Sequence, residues 1–153
     1  MKKILSVLLV VVGIFVLAGC ENEEVEKTLV CTRTATISDG VKADLRYEVK
    51  YKGDYVTTLK STEKIISDNE EYLDAYKETI ESTYEPYKDI EYYDYEVTIE
   101  GDTMTSSVNV DYSKIDTAKL LEIDSANGSL IKDGKIKIDD IKSLYESVGT
   151  TCK

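Results

Sequence analysis

The stretch ADLRYEVKYKGDYVTTLKSTEKI, residues 43–65, decides the fold. Apolar or aromatic side chains fall at every second position from Leu45 to Tyr51, with charged side chains between them. Such alternation is typical of a strand that buries one face. Lys52–Asp54 is a turn signal, and Tyr55–Ile65 then returns as the next strand. The stretch therefore predicts an antiparallel hairpin with one buried face.

A second hairpin is predicted further along the chain. Tyr93–Ile99 alternates in the same way, Gly101 and Asp102 form a turn, and Met104–Tyr112 returns. The segment YEVTIEGDTMT (95–105) repeats six of the eleven residues of YEVKYKGDYVT (47–57), at an offset of 48 residues. An old duplication explains this internal repeat, and so does convergence of two hairpins on the same turn chemistry. Both explanations stay open at this point.

A first strand and a long helix flank the first hairpin. Thr28–Ile37 is rich in residues that favour strands. After Ile65 the period changes to that of a helix, with Ser67 or Asp68 as the expected N-cap and Pro86 marking the end. The residues that recur on one face of this helix are Tyr72, Leu73, Tyr76, Ile80 and Tyr84.

The last third of the chain is predicted to be mainly helical. Asp116 is the expected cap of a short helix that ends at Ile123, and Asp133-Gly134 forms a small hairpin or a loop. Asp139 is the expected cap of a final helix, which stops at Gly149. The predicted fold class is α+β: an antiparallel sheet of about four to five strands with two or three helices packed on one face.

The amino terminus, MKKILSVLLVVVGIFVLAGC, has the three-part layout of a secretory signal. Its last four residues, LAGC, resemble the lipobox of bacterial lipoproteins. The resemblance implies cleavage before Cys20, a diacylglyceryl group on the Cys20 sulfur and usually acylation of the new amino terminus, which together anchor the chain stably. The alternative is an uncleaved membrane anchor with an ordinary cysteine.

These features predict three segments. Residues 1–19 are the lipoprotein signal peptide, residues 20–28 are a lipidated acidic tether, and residues 29–153 are a single α+β domain. The expected location is the extracytoplasmic face of the bacterial cell membrane, with the bilayer as a partner through the acyl chains on Cys20.

The charge of the chain excludes some partners. Without residues 1–19, 17 basic residues face 30 acidic ones, a net charge of −13. A charge this negative argues against nucleic acid and against anionic lipid headgroups. An envelope protein or a cell-wall component is the expected partner.

Two cysteines remain once Cys20 is lipidated. Cys31 lies in the first strand and Cys152 lies one residue before the end of the chain. In a secreted protein such a pair predicts one disulfide, and two free thiols are the alternative. No Cys-x-x-Cys motif exists, so a redox function is not expected.

The residue types present exclude several kinds of catalysis. The chain has no histidine, which excludes Ser-His-Asp triads, Cys-His pairs and histidine zinc sites. Two acidic options remain: a carboxylate pair of the glycosidase kind, and a calcium site among the aspartates of the last third. The expectation is that these carboxylates are caps, turns and solvated surface, with no enzymatic activity, no metal and no cofactor. The aspartates concerned are Asp111, Asp116, Asp124, Asp133, Asp139 and Asp140.

Tyrosine is unusually frequent, with twelve residues, while Trp is absent and the only Phe is Phe15. Tyrosines must therefore supply the aromatic bulk of the core, with their hydroxyls reaching its rim or a partner. The alternative is a tyrosine-lined groove that binds glycan or peptide. Tyr55, Tyr87 and Tyr92, which lie near turns, are the first candidates for such a groove.

The whole layout resembles the small YehR-like lipoprotein family. The resemblance rests on LRYEVKYKGDYVTTLKSTEKI (45–65), YKDIEYYDYEVTI (87–99), VNVDYSKIDTAKL (108–120) and the terminal ESVG (146–149), together with the lipobox. It implies a small α+β domain on a lipid anchor, and it assigns no biochemical activity and no functional residue.

The expected function is that of a non-enzymatic binding or accessory module of the cell envelope. One alternative is a structural protein that accepts a strand at a free sheet edge. A carboxylate-dependent hydrolase is the other alternative, and it requires two acidic side chains that converge in one pocket.

Overall fold

The structure, a computed structural model, describes residues 24–153. The expected signal peptide and the lipidation site at Cys20 lie outside the described residues. Strand β1 begins at Lys27, two residues before the predicted start of the domain. Within residues 24–153, no helix is both long and apolar enough to cross a bilayer.

The α+β fold class is confirmed, with a six-stranded antiparallel sheet in the described part of the chain. The sheet contains β1 (Lys27–Ser38), β2 (Val41–Lys52), β3 (Tyr55–Ile66), β4 (Tyr93–Glu100), β5 (Thr103–Asp111) and β8 (Thr151–Cys152). Its strands lie in the order β4-β5-β3-β2-β1-β8. The sixth strand, β8, exceeds the predicted four to five, because two residues are too short to show a period in the sequence.

Three helices and a small separate hairpin complete the described chain. The helices are α1 (Glu70–Tyr84), α2 (Thr117–Ile123) and α3 (Ile138–Ser147), and the hairpin pairs β6 (Ile131–Lys132) with β7 (Lys135–Ile136). Short 3-10 helices follow α1 at Glu85–Tyr87 and α2 at Ser125–Ser129. The hairpin at Asp133-Gly134 is thus one of the two predicted outcomes for that segment.

The two predicted hairpins form as expected. Gly53 and Gly101 take positive φ angles of 54° and 60° in their turns, a conformation that glycine adopts without steric cost. Next to the turns both hairpins have the same register, since Lys52 pairs with Tyr55 and Glu100 with Thr103. Strands β3 and β5, the second strands of the two hairpins, then pair with each other and so join the hairpins into one sheet.

The helix ends differ from the sequence predictions in two places. Asn69 caps α1, because its side-chain oxygen accepts from the Tyr72 amide at 3.1 Å, so the assignment to Ser67 or Asp68 was wrong. The cap of α3 is Lys137, which makes no side-chain capping bond, and Asp139 lies in the first turn instead. A carboxylate in the first turn still interacts favourably with the helix dipole.

Other helix ends agree with the predictions. Asp116 caps α2 by accepting from the Ala118 amide at 3.0 Å. Gly149 follows α3 with a φ of 84°, the left-handed conformation expected just beyond a helix end.

The core lies between one face of the sheet and the helices. Alternate strand residues turn to this inner face, so β5 buries Met104, Ser106, Val108 and Val110. The buried residues form two clusters. The smaller one packs Leu73 of α1 on Ile65 and Met104, and the larger one lies beneath α2 and α3. The opposite face of the sheet carries threonines, lysines and carboxylates.

Cys31 and Cys152 form a disulfide, as the sequence predicts. They are register partners on β1 and β8, and the Val30 amide donates to the Lys153 carbonyl at 2.9 Å beside them. The bond closes a sequence separation of 121 residues, so it joins both ends of the described domain.

Candidate functional site

A cleft of about 340 Å³ opens on the helical side of the sheet. Its floor is the inner face of β2, β3, β4 and β5, and its walls come from the three helices and the two 3-10 turns. The volume lies near the lower end of ligand pockets, which span roughly 300–1,000 Å³. We call this opening the tyrosine cleft, since six of its lining residues are Tyr47, Tyr84, Tyr87, Tyr93, Tyr112 and Tyr145.

Strand register builds the floor of the tyrosine cleft. Ser61 on β3 pairs with Tyr47 on one side and Val108 on the other, which makes one row across the sheet. In the next row, Val110 pairs with Leu59 and Tyr93. Residues two apart on a strand share a face, so both rows point toward the helices.

The walls depend on where the helices end. Helix α1 ends at Tyr84, and Pro86 then holds the chain in a 3-10 turn that delivers Tyr87 to the cleft. Asp124 and Asn127 line the opposite wall, in and beside the 3-10 turn that follows α2. Helix α3 contributes Tyr145, which is 8 % exposed.

Two stacked tyrosine pairs join the walls to the floor. The rings of Tyr47 and Tyr145 lie 4.0 Å apart between centroids, with an interplanar angle of 11°. Those of Tyr87 and Tyr93 lie 4.9 Å apart at 16°. Stacked pairs of this kind add roughly 0.5–1.5 kcal/mol beyond the area that they bury. Four of the six cleft tyrosines are therefore held in place by stacking on one another.

The hydroxyls of the six cleft tyrosines have no protein partner. Among the described residues, none of them donates or accepts a hydrogen bond. Tyr76 and Tyr95 differ, since their hydroxyls donate to Glu63 and Glu85, each at 3.2 Å. Solvent reaches each of the six hydroxyl oxygens, so the cleft offers hydroxyls that water or a ligand can hydrogen-bond.

The cleft tyrosines are neutral at physiological pH. Burial is the main cause that raises the pKa of all six phenols, and it raises the pKa of Tyr112 to about 12. A neutral phenol keeps both a donor and an acceptor. The lining therefore has aromatic faces and hydroxyls without phenolate charge.

Asp124 is the one charged side chain in the lining of the tyrosine cleft. Its Oδ1 accepts from the Ala126 amide at 2.9 Å and caps the 3-10 turn, which leaves Oδ2 without a bond to the described residues. The negative charge of Asp124 also contributes, after burial, to the raised pKa of Tyr87. Among the described residues, the lining thus has a single carboxylate and no lysine or arginine.

Of the three tyrosines that the sequence proposes for a groove, Tyr87 lies in the cleft. Tyr55 is 41 % exposed beside β7, with the Lys135 Nζ 4.9 Å from its ring centroid. Tyr92 is 40 % exposed at a positive φ of 69°, with the Lys114 Nζ 5.4 Å from its ring centroid. The structure does not bring these three residues together.

Sequence reasoning placed most of the other cleft tyrosines in the core. Tyr47 and Tyr93 fall on inward strand positions, and Tyr84 falls on the inward face of α1. The signal that these residues face one opening is their shared side of the sheet. That signal becomes visible only once the strand register and the helix positions are known.

Four of the six aspartates of the last third lie in caps or turns, whereas Asp139, the predicted cap of α3, lies in its first turn. Besides Asp116 and Asp124, Asp111 accepts from the Ser113 amide at 3.0 Å, and Asp133 lies in the β6–β7 turn. Within residues 24–153, no group of three or more Asp, Glu or Cys side chains is arranged to hold a metal ion. A pair of carboxylates does not line the tyrosine cleft either, since Asp124 is alone there.

One side of the sheet ends in an eight-residue strand. β4 pairs only with β5 among the described strands, so one row of its backbone groups is free of strand pairing. Its outward side chains include Asp94, Glu96 and Glu100. Charged side chains on an edge strand discourage pairing with another chain.

Comparison with known proteins finds likeness in two solved structures. The NMR structure of the YehR protein of E. coli matches with a TM-score of 0.54 and 23% identity, over 83% of this chain and 91% of that chain. The NMR structure of a protein from Streptococcus pneumoniae TIGR4 matches with a TM-score of 0.52 and 14% identity, over 100% of this chain and 98% of that chain. These likenesses show that the chain shares the YehR fold. No family model and no curated protein matches the chain.

Proposed function

We propose that the chain is a lipid-anchored binding module of the bacterial cell envelope, without enzymatic activity, and that its ligand occupies the tyrosine cleft. The observation that carries the proposal is a single cleft lined by six tyrosines whose hydroxyls have no hydrogen-bond partner among residues 24–153. Ring faces and solvent-reached hydroxyls gathered in one concave opening are the kind of lining that ligand pockets have. A ligand in the cleft contacts the ring faces and hydroxyls in place of water.

The position of the anchor supports the envelope location. Cys20 follows a leader with the layout of a lipoprotein signal, and β1 begins at Lys27. Fully extended, residues 20–26 reach at most about 25 Å, so the domain stays close to the membrane. The acyl chains on Cys20 hold the cleft near the bilayer surface, where envelope components are concentrated.

Ligand binding is tested on the mature chain, residues 20–153, with Cys20→Ala to keep it soluble. The tyrosine rings carry an isotope label, and their NMR shifts are followed as low-molecular-weight envelope fractions are added. We expect shifts at Tyr87, Tyr93 and Tyr112, while Tyr55 stays unchanged. Shifts confined to Tyr55, or none with any fraction, would contradict the proposal.

Lipidation has a separate test. Mass spectrometry of the chain expressed in bacteria should find a diacylglyceryl group on Cys20 and no residue before it. An intact segment from Met1 to Gly19 would contradict lipid anchoring.

Strand addition at β4 is the second candidate function. The free row of backbone groups along Tyr93–Glu100 favours it, and the acidic outward side chains require a partner strand with basic residues opposite them. Amide hydrogen exchange separates the two candidates. Partner binding at the edge protects the β4 amides and leaves the rings of the tyrosine cleft unshifted.

A further inference from the structure

The charges in and around the tyrosine cleft select among ligands. The lining contains Asp124 and no lysine or arginine. Arg33 lies outside the lining; its charge opposes the rise in the pKa of Tyr47, and its Nη1 donates to the Val148 carbonyl at 2.5 Å. An anionic ligand therefore meets a carboxylate and finds no counter-charge in the lining. A cation or a neutral molecule fits this field.

A second carboxylate lies just beyond the cleft floor. Glu63 is on β3 two residues after Ser61, so it points to the same side of the sheet. It accepts from the Tyr76 hydroxyl at 3.2 Å, and its charge contributes to the raised pKa values of Tyr47 and Tyr84. Two carboxylates, Glu63 and Asp124, therefore act on the cleft tyrosines, and Arg33 opposes Glu63 at Tyr47.

Aromatic faces complete the requirements for a cation. Tyrosine rings attract a cation held over their faces, and the interaction is strongest where water is excluded. Each stacked pair has two inner faces in mutual contact and two outer faces free of the partner ring. Because the phenols are uncharged, they bind by their ring faces and oxygen lone pairs and do not form ion pairs.

We infer that the ligand of the tyrosine cleft is a small organic cation with an alkylated ammonium group, held over the tyrosine rings with Asp124 as its counter-charge. The inference rests on the proposed function, since it names the chemical class of the molecule that the cleft binds. Asp124 is suited to this role because its cap uses one oxygen and leaves Oδ2 for the ammonium group. A neutral sugar, which bonds to the same hydroxyls, is the competing occupant.

The test compares choline with 3,3-dimethylbutan-1-ol, its uncharged isostere, on the mature chain with Cys20→Ala. Binding is followed by tyrosine fluorescence and by the ring NMR shifts. We expect saturable choline binding, with the alcohol at least about tenfold weaker, because it lacks the charge that the rings and Asp124 stabilise. Chitobiose serves as the sugar probe, and we expect it not to shift the cleft rings.

Three variants distinguish ring faces, hydroxyls and charge. Asp124→Asn removes the charge and keeps a good cap, so it should weaken choline binding about fivefold or more while the melting temperature stays unchanged. Tyr87→Phe keeps the ring and should leave choline affinity within about threefold, whereas Tyr87→Leu should weaken it about tenfold. Circular dichroism of each variant verifies its fold.

Each contrary result has a defined meaning. Equal binding of choline and the alcohol would overturn the assignment of a cation and leave the cleft as a ligand site. If chitobiose binds and Tyr87→Phe abolishes this binding, the ligand is a sugar and not a cation. The proposed function would still hold in that case. If no probe binds, the cation assignment fails, and the envelope-fraction NMR decides separately whether the cleft binds a ligand.

Discussion

Tyr47 on β2 stacks on Tyr145 of α3, with ring centroids 4.0 Å apart. Tyr47 is also the register partner of Cys31, whose disulfide holds Cys152 just after the same helix. Helix α3 is therefore attached to the sheet at two neighbouring points, by an aromatic stack and by a covalent bond. Since Tyr145 lines the tyrosine cleft, these two attachments also fix one of its walls.

The stack predicts a large difference between two substitutions of Tyr145. Tyr145→Ala should lower the free energy of unfolding by about 3 kcal/mol, because it removes a buried ring and leaves a cavity. Tyr145→Phe keeps the ring and should cost less than about 1 kcal/mol, since its hydroxyl has no hydrogen-bond partner among residues 24–153. Urea unfolding measures both. Equal losses would mean that the stack does not hold α3.

The disulfide predicts a stability that depends on redox state. Its loop spans 121 residues, and a loop of this size constrains the unfolded chain by at most about 5 kcal/mol, with about 2–4 kcal/mol typical in practice. Reduction should therefore lower the free energy of unfolding by about 3 kcal/mol, measured in urea with and without reductant. The Cys31→Ala/Cys152→Ala variant is the control, which should not respond to reductant. A wild-type midpoint that reductant leaves in place would contradict the bridge.

The cap of α1 predicts which of two adjacent residues matters. Asn69→Ala should cost about 1 kcal/mol, because the Tyr72 amide loses its acceptor. Asp68→Ala is the matched control and should change the free energy of unfolding by less than about 0.5 kcal/mol. Urea unfolding of the two variants measures both changes. A larger loss of unfolding free energy in Asp68→Ala would show that Asp68 is the cap, as the sequence suggested.

The raised phenol pKa values predict alkaline sensitivity. A phenol whose pKa is raised in the folded state stabilises the fold fully below the unfolded value of about 10, and this stabilisation is lost as the pH rises toward the folded value. Burial raises the pKa of both Tyr112 and Tyr76 to about 12. The free energy of unfolding should therefore fall between about pH 10 and pH 12.

Ultraviolet absorbance of phenolate checks this behaviour. In the folded protein, part of the tyrosine titration should occur above the range seen in the urea-unfolded chain. Tyr112→Phe should reduce this late-titrating part by one residue. Coincident titration curves for the folded and unfolded chains would show that these tyrosines are not buried.

Sequence patterns were sufficient for most of the fold. Strict alternation predicted the two long hairpins, and the positive φ angles at Gly53 and Gly101 confirm the predicted turns. The patterns failed where an element is too short to have a period. Strand β8 has two residues, and its place in the sheet depends on the disulfide to Cys31.

The candidate site was harder to predict than the fold. Exposure near turns favoured Tyr55 and Tyr92, which lie outside the cleft. Inward positions favoured a core role for Tyr47 and Tyr93, although they lie on the cleft floor. Whether an inward tyrosine lies in the core or in the cleft depends on a gap between the helices. The position of this gap depends on the path of the chain in the turns after α1 and α2. A single sequence does not contain that information locally.

The central claim is that the tyrosine cleft binds an envelope component in the lipid-anchored protein. Photocrosslinking in native envelopes tests it most directly. A photoreactive residue replaces Thr83, an exposed position on the cleft rim, and a control chain has it at Thr98, an exposed outward position on β4. We predict an adduct of constant mass at position 83, which is lost when Tyr87→Leu is added, and none at position 98. Adducts at position 98 alone, or adducts at position 83 that survive Tyr87→Leu, would contradict the claim.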